Sequence, residues 1–457
     1  MRLGDDPCIS AAATGAGVSH PAQPDRFATP RGLVGPTRET PTRVALACMA
    51  FAIALTLVTV RTFHDAAVPG HPELARYGLR DFRDAVYYPV RALVDGNDPY
   101  RPSTYRTQYP VGSKFPLYAP LILAFHLPFA LLPERAGGIA HYAFNVGCTI
   151  LLAFVSLRLC GIGGAAATLA LSAAMLLSRP GHTNLFTGEC TAYVCLGTYL
   201  ALGWSGSSPA LGGIGLALAA MKPTFGVPLG LLMLARPGER HAFVYGVLIA
   251  APVTAVVLAI VVHAEGGVAP FLAAMRENYS SLGTTGETYS GGSVIALDAG
   301  ALVERLLGRT PGAALARVEA TVSVAILALG IVVIRRVAAR TTRDTRLAAA
   351  TVACMTILLC VHHHAYDALL LALPIAALVS GRCAPTIGPR LRWVLSALLL
   401  VPWVNYFATF TFLDRWEPDA ATQLVITSAN GAALVAALLV VSVALLAART
   451  GASETAG

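Results

Sequence analysis

Long apolar runs separated by short polar connectors set the pattern of this chain. Runs at about 43–62, 139–158, 240–263, 315–334, 391–410 and 423–447 approach the ~20 residues needed to cross a hydrocarbon layer of ~30 Å. They are continuous and rich in Ala and Leu, without alternation at every second position, so they predict helices and not barrel strands. Shorter or broken runs at about 117–133, 163–178, 187–204, 208–235, 346–361 and 366–381 bring the expected count to twelve. Two of these are weak. The 117–133 run carries His126, Pro128 and Pro133 and could lie at the interface, and the 208–235 run is interrupted by Lys222-Pro223 and could be re-entrant.

With the N-terminus inside, twelve crossings put residues 63–115 outside as a large first extracytoplasmic loop, and residues 264–314 outside as a second long segment. The second contains a Gly/Ser/Thr/Tyr-rich stretch at 279–293 and an amphipathic piece at 294–308. The Arg-rich connectors Arg236–Arg240, Arg335–Arg346 and Arg382–Arg392, with Arg449, then fall on the cytoplasmic side, as the positive-inside rule expects. If neither weak run crosses, everything after Arg236 keeps its side, but residues 179–186 move from inside to outside.

Composition agrees with this pattern. The chain is 55% hydrophobic and 13% charged, against ~25% charged in an ordinary soluble protein. The net charge of +8 sits mostly in the connectors, so it speaks for membrane topology and not for nucleic acid. Lys114 and Lys222 are the only lysines. The nine cysteines show no CxxC or Cys/His metal spacing, and those in apolar runs read as small packing residues. Residues 1–42 read as a disordered cytoplasmic tail, 43–450 as one transmembrane domain and 451–457 as a C-terminal tail. The fold class is therefore an all-α polytopic membrane protein of about twelve transmembrane helices.

Three polar clusters could carry chemistry. The first loop holds Asp81-Phe82-Arg83-Asp84-Ala85-Val86-Tyr87-Tyr88-Pro89, then Gly96-Asn97-Asp98-Pro99-Tyr100, then Tyr109-Pro110. Pro89 suits the first position of a short helix over 89–95, with Tyr88 ahead of it biased to extended geometry. A carboxylate there, Asp81 or Asp84, could deprotonate an acceptor hydroxyl; a capping or salt-bridged role with Arg83 or Arg91 explains it equally well. The second cluster is His362-His363-His364-Ala365-Tyr366-Asp367, where His363 and Asp367 are four apart and can pair on a helix. Zinc competes, but three adjacent histidines cannot all face one ion from a helix. The third is Lys222, an ionisable residue deep in an apolar run, which is costly unless it faces a cavity or an anion such as phosphate, or snorkels. Arg179, His182, Asn184 and Glu189 form a weaker polar set near a helix start.

The order of these motifs resembles glycosyltransferase family 87, the C-type, polyprenol-phosphate-dependent mannosyl- and arabinosyltransferases. The Asp followed by aromatics, Gly96-x-x-Pro99-Tyr100, Tyr109-Pro110, Gly181-x-x-Asn184, the intramembrane Lys222-Pro223 and the late histidines carry the resemblance over nearly all of 43–450. The Gly-Gln-x-Asn form is here Gly181-His182-Thr183-Asn184, and the Tyr-Pro-Pro form is Tyr109-Pro110-Val111.

The resemblance implies a GT-C bundle in the plasma membrane with its active site outside. It implies a polyprenyl-phosphate sugar donor, a glycolipid or polysaccharide acceptor of the cell envelope, and inversion at the anomeric carbon. The catalytic Asp of the family maps onto Asp81 or Asp84, and the late His within His362, His363 and His364. Lys222, Arg179, His182, Asn184, Tyr87, Tyr88, Tyr109, His362 and Asp367 are the donor- or substrate-binding candidates, Arg179 only if 179–186 lies outside. A divalent cation is optional, and no other cofactor is expected. A transporter or flippase, or a lipid-linked glycan polymerase or ligase, is the rival class. Transporters usually show paired repeats, and no internal repeat is evident.

Overall fold

The computed structural model describes residues 39–67, 78–280, 293–308, 313–338, 342–383 and 387–447. The expected N-terminal tail as far as residue 38, the C-terminal tail and most of the Gly/Ser/Thr/Tyr-rich stretch lie outside these residues. The described chain is helical, and its only β feature is an isolated bridge between Ala296 and His364.

In chain order the helices are α1 (Pro41–Ala67), α2 (Tyr88–Val94), α3 (Pro102–Gln108), α4 (Leu121–Ala130), α5 (Glu134–Cys160), α6 (Ala165–Leu177) and α7 (Arg179–Thr187). Then come α8 (Thr191–Trp204), α9 (Pro209–Ala220), α10 (Pro223–Leu234), α11 (Arg240–Ala264), α12 (Val268–Ser280) and α13 (Ala299–Leu307). The last are α14 (Ala313–Ala338), α15 (Arg343–Cys360), α16 (Ala372–Val379), α17 (Pro389–Val404), α18 (Phe410–Trp416) and α19 (Ala420–Ala447). Prolines sit at the first turn of several of them, where the missing N–H costs nothing.

By length and composition, six of these are apolar enough to cross a membrane: α1, α5, α11, α14, α17 and α19. They expose large apolar side chains, among them Leu57, Val60, Val256, Ile260, Val324 and Val443, as a lipid-facing surface requires. The interior is built by α8, α15 and the segment 365–378, whose apolar residues are almost all buried.

The two weak runs differ from the simple count. The 117–133 run contains only the ten residues of α4, which at 1.5 Å per residue is about 15 Å long. Both of its ends return to the first loop region. The Tyr118 carbonyl ahead of it accepts from the Tyr100 hydroxyl at 2.8 Å, while the Leu132 carbonyl behind it accepts from the Tyr87 hydroxyl and Glu134 meets Tyr88 and Arg83. The 208–235 run is two helices, each of 12 residues or about 18 Å, broken at Lys222. Pro223 drives the preceding residue extended, and Lys222 has φ −108° and ψ 102°. A Cβ on Gly226 would come within 2.4 Å of the Ala220 Cα, so only glycine lets α10 lie against the end of α9.

Hydrogen bonds join residues 178–190 to the first loop and to the end of α1. Leu79 N–H donates to the Phe186 carbonyl at 2.7 Å, and Arg61 near the end of α1 meets His182 at 2.8 Å. The second long segment joins them, since Leu297 N–H bonds the His363 carbonyl and Ala365 N–H bonds that of Ile295.

Candidate functional site

In the first loop, residues Phe82–Tyr87 form a π-helix with Asp81 at its N-cap, and it runs directly into α2. Such wide turns are rare and cluster at functional sites. Tyr88 is therefore helical, with φ −70° and ψ −29°, and not extended as its position before Pro89 suggested; continuation from the π-turn overrides that local preference. Asp84 lies within the π-turn and is buried. Its two carboxylate oxygens accept from the Gly112 and Ser113 amides at 3.2 and 2.8 Å, and Arg80 Nε lies 3.6 Å away. This carboxylate folds the 109–115 segment over the π-turn.

Asp81 has a different environment. It is partly exposed, with Thr187 and Glu189 across from it and Arg80 and Asp84 on its own segment. Burial of the carboxyl, reinforced by the Glu189 charge, pushes its pKa up to about 7 against the opposing pull of Arg80 and Thr187. Gly188 makes this approach possible. Its φ of +75° ends α7 in the left-handed conformation, and a Cβ there would lie 2.7 Å from the Phe82 Cβ.

Glu189 is buried, and Oε1 accepts from the Tyr118 hydroxyl at 2.9 Å while Oε2 accepts from the Cys190 amide. Tyr118 in turn presents its ring to the Lys222 ammonium, 5.9 Å from the centroid. Lys222 is 5% exposed. Its Nζ donates to Asp367 Oδ1 at 2.7 Å and sits 4.6 Å from the Tyr366 ring centroid. The acid that Lys222 lacks in sequence thus arrives from 145 positions away.

Asp367 has four donors. Oδ1 accepts from Lys222 and from Thr191 Oγ1 at 3.0 Å, and Oδ2 accepts from His363 Nδ1 at 2.9 Å and the His364 amide at 3.1 Å. His363 and Asp367 pair as their spacing allows, though not along an α-helix: Asp367 opens a 3-10 turn in a capping box with the N-cap residue His364. Because an ionised carboxylate only accepts, His363 carries its proton on Nδ1. Its Nε2 is buried against Phe225 with no hydrogen-bond partner among the described residues. His362 and His364 turn elsewhere: their Nε2 atoms meet at 3.0 Å, His362 faces Asp298, and His364 Nδ1 meets the Tyr366 hydroxyl at 2.7 Å. The three imidazoles therefore do not converge.

The remaining candidates serve neighbouring structure. Arg179 is buried and donates to the backbone carbonyls of Asn405, at 3.1 Å, and Ala408. His182 stacks on Phe186 and bonds Arg61. Asn184 is the exception: it is fully buried, only its backbone carbonyl accepts from the Glu189 amide at 2.9 Å, and its side-chain amide has no hydrogen-bond partner among the described residues. The Tyr87, Tyr88 and Tyr109 hydroxyls donate to the Leu132 carbonyl, Glu134 and Asp95 respectively. Tyr118 and Thr191 are not among the sequence candidates, and Glu189 appears there only in the weaker polar set near a helix start. The turn signal Thr187-Gly188 ahead of it was the available clue. Among the described residues no three His, Cys, Asp or Glu side chains form a metal-binding group.

The family model of glycosyltransferase family 87 matches residues 117–361, more than half of the chain. The chain belongs to glycosyltransferase family 87. It is a membrane glycosyltransferase, as the family and the six long apolar helices indicate. The matched segment of this family 87 chain includes Tyr118, Glu189 and Lys222. Asp81 lies before it and His363–Asp367 just after it, and the fold carries both to the same place. No curated protein and no solved structure matches the chain.

Proposed function

We propose that this glycosyltransferase moves a sugar, mannose or arabinofuranose, from a polyprenyl-phosphate donor to a glycolipid or polysaccharide of the cell envelope at the outer face of the plasma membrane. The observation that carries the reading is the continuity of the polar end: Asp81, Glu189, Tyr118, Lys222, Asp367 and His363 form one cluster where five separate stretches of chain meet. Asp81 takes the proton of the acceptor hydroxyl as the new oxygen–C1 bond forms. The C1–phosphate bond breaks on the opposite side of the ring, which inverts the anomeric centre, and polyprenyl phosphate leaves with its charge increased. Lys222 is the cation assigned to that phosphate, with Asp367 as its counter-ion and Tyr366 packed beside it.

The topology that fits this reading has twelve crossings, with α4 held at the surface and α9 and α10 each counted once. Both termini and all the Arg-rich connectors then stay inside, and residues 178–190 share the outer face with the first loop. The test is incubation of membranes with a labelled polyprenyl-phosphate sugar. Transfer of label to envelope material, abolished by Asp81→Asn, is expected. Uptake of the labelled lipid without turnover would replace the transferase with a carrier.

A further inference from the structure

We propose that the chain holds an anionic phospholipid in a groove between α17 and α19, with an acyl chain along the groove and the head group on Arg390 and Arg392. The site is independent of the sugar-transfer reading and lies away from the polar cluster.

The groove is an open cavity of about 390 Å³ lined by Leu391, Leu439, Val440, Val443 and Ala444. That size falls within the ~300–1,000 Å³ of small-molecule sites. Positions 439, 440, 443 and 444 follow the spacing of one helix face, so a single stripe of α19 forms one wall and the first turn of α17 the other. Hydrocarbon covers such a stripe in a membrane, and Leu439 and Val443 are exposed accordingly. The lining alone does not choose among lipids; the rim does.

Leu391 sits between Arg390 and Arg392 in the first turn of α17, so the two arginines flank the mouth of the groove. Arg390 is exposed, and Arg392 Nε has no hydrogen-bond partner among the described residues. Arg392 is nonetheless held in place. Its guanidinium lies 4.7 Å from the Trp393 ring centroid, and Gly381, with φ +75°, admits it, since a Cβ there would fall 2.1 Å from Nη1. Neither α17, nor residues 381–388 ahead of it, nor α19 contains an Asp or Glu, so these cations have no carboxylate within their own elements. Trp393 is exposed beside them, as an anchor at the membrane–water interface would be. Basic pockets between membrane helices take anionic head groups, whereas a zwitterionic lipid brings its own cation to the arginines and gains less.

The opposite end of α17 belongs to the 178–190 region: the Asn405 carbonyl accepts from Arg179, and the Asn405 side chain bonds Asn430 of α19. Leu391 is about 20 Å from there at 1.5 Å per residue. In the twelve-crossing topology the groove therefore opens to the cytoplasmic leaflet, where Arg-rich connectors meet anionic lipid.

The test uses the full-length protein purified in an uncharged detergent and freed of lipid, with phosphatidylglycerol and phosphatidylcholine of identical acyl chains as probes. Retained lipid is counted by native mass spectrometry, and melting is followed in parallel. One arginine near an anionic head group is worth about fivefold in binding, so the parent should prefer phosphatidylglycerol by about 25-fold and melt higher with it. Arg390→Gln with Arg392→Gln should abolish the preference. Arg335→Gln with Arg336→Gln, an equal loss of charge at the exposed end of α14, should keep it. Ala444→Leu fills the groove without touching the rim and should reduce retention of phosphatidylglycerol. If the α17 double variant does not accumulate, Arg390→Gln alone gives the same comparison at about fivefold. Equal retention of the two lipids by the parent, or a preference that the α14 pair removes as fully as the α17 pair, overturns the site. A second copy of the chain seated on this face in place of lipid, visible as a doubled mass, overturns it as well.

Discussion

Removing the Lys222 ammonium tests two roles at once, and the structure provides the means to separate them. Lys222→Met keeps the length and apolar stem but deletes the cation that contacts Asp367 at 2.7 Å. Both side chains are nearly inaccessible, at 7% and 2% exposure. Breaking one member of a buried pair typically costs about 3–5 kcal/mol, because the other is left charged and uncompensated. Here Thr191, His363 and the His364 amide still hold Asp367, so the lower end of that range is expected. Lys222→Met should therefore lower thermal stability in detergent whatever Lys222 does in catalysis. Lys222→Met combined with Asp367→Asn removes both charges and keeps acceptor and hydrogen-bond capacity at position 367, and it should recover most of the lost stability.

Turnover of the double variant at limiting donor then decides. If the ammonium also binds the donor phosphate, loss of that charge-assisted contact costs about 2–5 kcal/mol, or roughly thirty- to several-thousand-fold in rate, even in a fully folded protein. Lys222→Arg should retain part of the activity, since a cation remains although its planar fork sits differently. A double variant with both parental stability and parental turnover would refute the phosphate role and leave Lys222 as the internal counter-ion of Asp367.

Three further outcomes follow from the same geometry. Asp81→Asn should reduce turnover by about 100- to 10,000-fold without loss of folded protein. Asp84→Asn, which disrupts the pairing to Gly112, Ser113 and Arg80, should instead lower the melting temperature; the reverse pattern would exchange their roles. Because the Asp81 carboxyl is raised from 3.8 to about 7, the folded state binds more protons than the unfolded one between those values. Its contribution to stability is thus lost as pH rises through that window while activity rises, and melting and turnover profiles of opposite slope from pH 5 to 7 would show it. Finally, Ser103→Cys and Thr183→Cys should both react with an impermeant thiol reagent in intact cells, and reaction at Thr183→Cys only after lysis would overturn the shared outer face.

Much of the bundle was legible because its signals are local. A run of apolar residues near twenty long announces a helix without help from the rest of the chain, and α1, α5, α11, α14, α17 and α19 fall where such runs lie. The break at Lys222-Pro223 and the His363–Asp367 spacing are likewise local, and both appear in the structure. What stayed hidden depends on pairing across the chain. Nothing near Lys222 names Asp367 as its partner, and nothing near Asp81 names Glu189. The short helix α4 reads like a crossing because its apolarity matches theirs; its ten-residue length and the contacts of its two flanks with Tyr87 and Tyr100 are visible only in the structure.

Four of the buried or half-buried carboxylates at this end, Asp81, Asp84, Glu189 and Asp367, differ in how many donors they meet. Asp367 meets four donors drawn from α8, the break before α10 and the 362–364 segment, so it fixes three separate stretches of chain relative to one another. Asp84 does the same for the first loop, with two amides and Arg80. A carboxylate so occupied has most of its acceptor positions taken by fixed donors. Glu189 has one hydroxyl and the amide next to it, and Asp81 has Thr187 and the neighbouring charges. Asp81 is the partly exposed member of the four, and it is not tied down by backbone amides as Asp84 and Asp367 are. Placing the weakly held acid against a rigid frame built by the strongly held ones lets it stay basic without collapsing into a salt bridge, which is the condition a general base at this position has to meet.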